Sequence, residues 1–298
     1  MLKRAAATLA LLVLSATIAP RAAPGLRVVV TFPSLRGDVR LLLGEGDEVL
    51  CPIPAGADPH EYQLTPGDLR ALAEADLIIS TSHTPLELTI SRLVEAGELR
   101  GELVDVLKIP NMTILENPMT SKPNFHMPIY DPGNYKRFVR YLASRLASAR
   151  PEKGDWYRAR AEAVLREVDR LIESARRLNA TAVADMPFAQ YAVSWLNVTV
   201  RFLVVREWGV PTAPRDLESI EEALRRGEVS LAVVTEPPTA KPSLFLEELA
   251  EGFGIPVLYV PSPLAPGSIL SKLKEVASGA AKIALSNGWA SIGVVDDG

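Results

Sequence analysis

AGADPHEYQLTPGDLRALAEADLIIS, residues 55–80, places a stiff loop, a helix start and a buried strand in immediate succession. Asp58-Pro59 disfavours helix ahead of His60, because the proline ring crowds the residue before it. Thr65-Pro66 then opens a helix. Thr65 can cap it, and Pro66 takes the first helical position, where its missing N–H costs nothing. Leu69, Leu72 and Ala73 fall on one face of that helix and are expected to be its buried stripe. Leu77, Ile78 and Ile79 follow as a short apolar strand. Strand, loop with histidine, helix, strand is the grammar of a parallel α/β sheet; a histidine so placed is how a metal ligand would be mounted, and also how an ordinary loop histidine would look.

The same alternation extends in both directions. Leu26–Phe32 and Glu48–Pro52 read as strands before the His60 loop, with a helix near Val39–Leu43 between them. Thr84–Ala96 has helical spacing and Leu103–Val106 is a fourth strand. From 110 to 130, PNMTILENPMTSKPNFHMPIY, the pattern stops. A loop of this length in a compact domain is functional or disordered. Asp131-Pro132 begins a helix to about Ala149, and Pro151 opens a longer one with no further proline through Leu178. At ~1.5 Å per residue that rod would be roughly 40 Å long, enough to link two lobes and to resist wide hinge opening. Alternation then resumes with strands at Thr181–Ala184, Val198–Val205, Val229–Val234 and Val257–Val260, separated by helices at Phe188–Leu196, Pro214–Arg226 and Pro242–Phe253, and closed by one at Ser268–Ser286. The expected fold is therefore α/β, with two lobes that each hold a four-stranded parallel sheet flanked by helices, joined by one long backbone helix. The expected division is 1–24 export signal, 25–150 N-terminal lobe, 151–178 linking helix and 179–298 C-terminal lobe.

Composition narrows the class. The 298 residues carry a net charge of −4, which offers nothing to a nucleic-acid partner. Lys3 and Arg4 precede an apolar run from Ala5 to Ala19, then Pro20 and the small residues Ala22-Ala23. A charged start, a short apolar core and a small-residue exit form a secretory signal, too short for an ordinary membrane span. The expected location is extracytoplasmic: secreted, cell-surface or periplasmic. The one cysteine, Cys51, cannot form an internal disulfide and is read as a small buried apolar residue.

In open parallel sheets ligands bind beyond the carboxyl ends of the strands. Five candidate metal-ligating groups fall at such places: His60 after the second strand, His126 in the long loop, Asp185 after the fifth strand, Glu236 after the seventh and Ser262 after the eighth. If the lobes face one another, these converge on one cleft.

GADPHEYQLTPGDLRALAEADLII resembles the first metal-site motif of the zinc/manganese solute-binding proteins of ABC transporters (the cluster A-I receptors), roughly G-A-D-P-H-D/E-Y-x-x-T/L-P-S/G-D-x-x-x-L-x-x-A-D-L, with His60 in the ligand place. NFHMPIYDPGN is similar to the second ligand motif, N/D-P-H-x-W-L-D-P-x-N, and puts His126 second; here one residue is added and the tryptophan is missing. ADMPFAQYA resembles S-H/E-x-A-F-x-Y-F, with Asp185 where a His or Glu ligand stands. VTEPPTAKPSLFLEELAEGFG resembles the family's strand–helix unit, with Glu236 at its glutamate, and SPLAPGS resembles D-P-L-G, with Ser262 replacing the aspartate that is commonly the fourth ligand. The family has no ligand at His83, which is read as a turn or cap residue. The resemblance implies a monomeric, non-enzymatic receptor that captures Zn²⁺ or Mn²⁺ as transported ligand and hands it to the permease of an ABC importer.

Two imidazoles with a carboxylate suit Zn²⁺, Mn²⁺ or Fe²⁺. Affinity is expected to fall as the histidines protonate below their ordinary pKa of ~6.5. Two other classes share these residues: a metal-dependent hydrolase or chelatase, for which Ser262 would leave an open metal position, and a receptor that has lost metal and binds another solute.

Overall fold

The computed structural model describes residues 25–54, 57, 59–207, 210 and 212–286. The expected signal at 1–24 and the C-terminal tail from 287 lie outside the described residues, as do Ala55, Gly56 and Asp58 of the His60 loop. Among the described residues no helix is long and apolar enough to cross a membrane.

The first four strands are β1 (Arg27–Val30), β2 (Glu48–Leu50), β3 (Leu77–Ser80) and β4 (Glu102–Asp105), with helices α1 (Pro33–Leu42), α2 (Pro66–Ala73) and α3 (Pro85–Glu95) between them. They pair in parallel in the order β2-β1-β3-β4. Helices α4 (Pro132–Ala149) and α5 (Gly154–Ser174) follow, then β5 (Ala180–Ala184), α6 (Ala189–Ser194), β6 (Val198–Leu203), α7 (Pro214–Arg225), β7 (Leu231–Glu236), α8 (Lys241–Phe253), β8 (Val257–Pro261) and α9 (Ile269–Ser286). The second sheet is also parallel, in the order β6-β5-β7-β8. The two lobes thus have one topology, although no sequence repeat relates them.

Both faces of each sheet are buried, which is why the strands read as near-continuous apolar runs. Alternate residues serve different cores. Val28, Val30, Leu77 and Ile79 face one way, and Ala182, Ala184, Leu231, Val233, Leu258 and Val260 face the same shared core from the other lobe. Helices α1, α4, α5, α6 and α9 add further members to it. Val29 and Ile78 instead join Leu72, Leu86 and Ile90 in a core private to the N-terminal lobe. Val183, Ala232 and Val234 join Ile220, Leu224, Leu246 and Ala250 in a private core of the C-terminal lobe. Five helices, not one, therefore tie the lobes together.

Two expectations change at this level. The long helix stops at Ser174, because Ala175 turns extended and Leu178 is drawn into the core, its N–H donating to Leu196 O as the chain enters β5. Its 21 residues span about 31 Å rather than 40. Of the stripe expected on α2 only Leu72 is buried, since this helix of 8 residues touches the lobe through a single turn.

A buried polar strut crosses the shared core. Lys272 on α9 donates to Ser34 Oγ on α1 (2.6 Å) and to the carbonyls of Ser262 and Ala265 (2.7 Å each). Tyr135 on α4 donates to Asp38 Oδ1 on α1 (2.7 Å), which also accepts from Ile269 N (2.9 Å). Burial lowers the Lys272 ammonium to about 8, with nearby Asp38 and Glu275 opposing. Burial likewise raises the Asp38 carboxyl to about 7, against the Tyr135 and Ile269 hydrogen bonds.

Candidate metal centre

Segments that leave seven of the eight strands, all but β6, line a cavity of about 520 Å³ between the lobes. Its N-terminal wall carries the three histidines of the chain. His60 follows β2, His83 follows β3 and His126 follows β4 through the long loop. The His83 ring lies 5.7 Å from that of His60 and 5.2 Å from that of His126, centre to centre. Two imidazoles that share a tetrahedral ion through ~2.1 Å bonds have ring centres roughly 5 Å apart. Among the described residues no group of three His, Cys, Asp or Glu side chains is already poised around one point. The spacing of a shared ion is present, then, and the rings still have to turn to use it.

The imidazoles are held by their Nδ1 atoms. His83 Nδ1 lies 2.9 Å from Thr81 Oγ1 and 3.5 Å from Glu87 Oε2, and its ring stacks on Phe32. His126 Nδ1 lies 3.0 Å from Asn124 Oδ1. An acceptor at Nδ1 fixes the tautomer and leaves Nε2 as the free donor pair, the arrangement that outer-shell groups impose on metal-ligating histidines. Burial lowers the pKa of His126 to about 3, helped by His83 and His60. Burial also lowers that of His83, with Glu87 opposing. Both rings are therefore neutral, and competent to coordinate, at physiological pH.

Glu87 anchors this wall. It closes the capping box of α3 with Thr84 and accepts from Thr31 Oγ1 (2.5 Å), Thr81 N (2.7 Å) and His83 N (3.1 Å). Its burial works to raise its pKa, but His83 and the hydrogen bonds from Thr31, Thr81 and Thr84 outweigh it, and the carboxylate stays ionised. Strain sits beside two of the imidazoles: Ser82 (φ 55°) precedes His83 and Met127 (φ 49°) follows His126, both in the left-handed region that side chains with a Cβ avoid.

The long loop is ordered rather than free. Asn117 and Asn124 are buried in it, and Asn124 donates to Pro187 O and Gln190 Oε1 (2.9 Å each) at the start of α6. Tyr191 of α6 donates to Asn124 O (2.5 Å) and accepts from Leu115 N (2.9 Å). The loop that carries His126 is thereby tied to the opposite lobe.

On the C-terminal side the expected ligands fare differently. Ser262 lines the cavity, its Oγ accepting from Leu264 N (3.2 Å). Asp185 is fully buried and is not part of the cavity wall. Its oxygens accept from Thr235 N (2.8 Å), Thr235 Oγ1 (2.9 Å) and Ser243 Oγ (2.6 Å), so it braces two residues that do line the cavity. Burial raises its pKa, against those hydrogen bonds. In this it is the counterpart of Glu87: a carboxylate that staples a strand end to the next helix. Glu236 has an exposed side chain and is also absent from the wall. Cys51 is half-buried, donates to Ile53 O and has its thiol pKa pushed up to about 11 by burial, which leaves no thiolate for an ion.

Two residues escaped the sequence reading. His83 stands at the carboxyl end of β3, beside the point where strand order reverses, and that position was a usable signal. Glu207 follows β6, and its Oε2 lies 3.8 Å from His126 Nε2. Nothing local in the sequence distinguishes it.

A two-lobed parallel α/β fold whose facing strand ends enclose a cleft, with three imidazoles on one wall, is an architecture suited to holding a ligand between the lobes. The chain matches the family described as zinc-uptake complex component A, periplasmic, over residues 28–268, and it belongs to that family, one of metal-binding receptors and not of enzymes. It is 31% identical to the manganese-binding lipoprotein MntA of Halalkalibacterium halodurans over 50% of this chain and 48% of that protein. It is 32% identical to the high-affinity zinc uptake system protein ZnuA of Paracoccus denitrificans over 33% of this chain and 31% of that protein. The matches thus span about half or less of the length of these two relatives. Its fold is that of the solute-binding protein FpvC of Pseudomonas aeruginosa, solved with Mn²⁺, at a TM-score of 0.73 over 89% of this chain and 100% of that one, with 16% identity.

Proposed function

We propose that this chain is an extracytoplasmic receptor that captures a divalent transition-metal ion, zinc or manganese, in the cavity between its lobes and delivers it to the membrane permease of an ABC importer, acting as a monomer. The observation that carries this reading is the gathering of His60, His83 and His126 on one wall of the cavity, the His83 ring 5.7 Å and 5.2 Å from the other two, with His83 and His126 neutral and held through Nδ1. His60 and His126 keep the ligand roles expected of them, and His83 joins them. Asp185 acts as a brace, Ser262 as part of the wall, and Glu236 takes no part. Family membership and the metals named for the relatives support the same reading. The proposed division stays at 24/25, 150/151 and 178/179, with the linking helix itself ending at Ser174.

The test is metal analysis of protein purified without chelator, repeated on His60→Ala. Near-stoichiometric metal in the parent chain and its loss in the variant are expected. Equal metal in both would move the site elsewhere, and an absence of metal, with none taken up on titration, would end the reading.

A further inference from the structure

We infer that Asn111, Asn179 and Asn197 are N-glycosylation sites, each taking an oligosaccharide on its side-chain amide during export. This rests on the extracytoplasmic reading above and is independent of the ion site. The chain has seven asparagines, and three of them open an Asn-x-Thr triplet with x other than proline: Asn111-Met112-Thr113, Asn179-Ala180-Thr181 and Asn197-Val198-Thr199. That is the acceptor pattern of exported proteins. Serine and threonine together are 33 of the 298 residues, so chance would put one at that offset for fewer than one of the seven.

The structure sorts the asparagines in the same way. Asn117, Asn124 and Asn134 are buried and spend their side chains on hydrogen bonds inside the fold. None of them opens such a triplet. Asn111, Asn179 and Asn197 are exposed. Each sits in the left-handed region, at φ 63°, 50° and 60°. Asparagine tolerates that conformation better than most residues, which by itself accounts for asparagine at these turns. It does not account for the threonine two places on. Strand preference suits Thr181 on β5 and Thr199 on β6, but Thr113 lies outside any strand. Thr31, Thr65, Thr81, Thr84, Thr89, Thr212 and Thr235 bond their hydroxyls within the fold. Among the described residues the hydroxyls of Thr113, Thr181 and Thr199 do not. The acceptor triplet gives those three hydroxyls a task that the fold does not.

Asn179 and Asn197 precede β5 and β6, at the amino ends of neighbouring strands, whereas the cavity lies beyond carboxyl ends. Asn111 follows β4 and is not part of the cavity wall. Glycans at these places stand in solvent and leave the cleft open. The middle residues Ala180 and Val198 are buried in the finished sheet, so attachment precedes folding, as the chain crosses the membrane. The donor is an oligosaccharide carried on a lipid phosphate, and a membrane transferase presents it. Asparagine Nδ2 attacks the anomeric carbon, the nitrogen–carbon bond forms, and the bond from that carbon to the phosphate oxygen breaks. The lipid phosphate leaves with the electron pair, and one amide proton passes to a base of the transferase. The glycosylated amide keeps its second N–H, so Asn197 Nδ2 still donates to Asn179 Oδ1 afterwards.

The test expresses the full chain in its own host, separates cytoplasm from the exported fraction, and weighs the peptides that contain each triplet. A sugar-bearing mass increment is expected on Asn111, Asn179 and Asn197 of the exported protein. Thr113→Ala, Thr181→Ala and Thr199→Ala should each remove the increment at their own site alone, and the matching Thr→Ser variants should keep it. These changes leave the asparagine turns intact, which Asn→Gln would strain. Exported protein with all three asparagines bare would overturn the inference, and one bare asparagine would overturn it for that site. An increment that survives the Thr→Ala change would show attachment by another route and overturn it as well. A chain retained in the cytoplasm would remove the extracytoplasmic reading, and this inference with it.

Discussion

At the residue scale, His83 and His126 depend on what burial does to an imidazole. Each has its pKa lowered first by desolvation, His126 to about 3. A histidine whose folded pKa lies below its unfolded value binds fewer protons in the fold. Its contribution to stability is complete above pH ~6.5 and is lost as pH falls toward the folded value. The metal-free protein is therefore expected to lose stability below pH 6.5, by at most about 1.4 kcal/mol per pH unit for each of the two rings. Urea unfolding at pH 7 and at pH 5 measures this. The same shift moves the pH limit of capture lower than ordinary imidazoles would set. Two free imidazoles together release about 1.5 protons on binding an ion at pH 6. His126, already deprotonated, should release close to none and His83 fewer than an ordinary imidazole, and calorimetry in buffers of different ionisation enthalpy counts those protons. Release of the full ordinary number would show that the rings are solvated in solution.

At the element scale, capping residues position the chemistry. Thr84-Pro85-Leu86-Glu87 reads locally as a helix start, and α3 begins there with its capping box closed. The sequence pattern could not show that Glu87 also accepts from Thr31 on the neighbouring strand and stands 3.5 Å from His83 Nδ1. Glu87→Gln keeps the size and replaces one acceptor oxygen with an NH₂ group that faces donors. It is expected to cost about 1–3 kcal/mol of stability and to lower metal affinity about 10–100-fold by releasing the His83 ring. Chemical denaturation and metal titration of one preparation read both effects. A stability loss with undiminished affinity would separate the cap from the ion site. The second carboxylate staple, Asp185, stands after β5 where the sequence and its resemblance to the family motif lead one to expect a ligand. What removed it from the cavity was the pair of hydroxyl partners on β7 and α8, both distant in sequence.

At the scale of the whole molecule, the shared core binds the lobes into one cooperative body. Members from both sheets and from five helices meet in it, so neither lobe has a complete interior alone. A single thermal transition is expected. Lys272→Met should lower its midpoint while keeping it single, because the carbonyls of Ser262 and Ala265 lose their donor at about 1–3 kcal/mol for each buried group left unpaired. Two resolved transitions in the parent chain, seen by calorimetry, would contradict the shared core. The His126 loop is tied to α6 through Asn124 and Tyr191, so small shifts at the cleft are expected rather than wide opening.

The order of strands and helices, the parallel sheets, the two lobes and the placement of His60 and His126 at strand ends were all determined by the sequence alone. Apolar periodicity, proline at helix starts and threonine caps are local signals, and a strand end is where a parallel sheet presents its ligands. Only the tertiary structure decided which side chains face the cavity. His83 entered the cluster, Glu207 came within reach of His126, and Asp185 turned away to Thr235 and Ser243. Those outcomes depend on contacts between residues tens of positions apart, whose directions arise from packing the two lobes on a common core, and no window along the chain contains them.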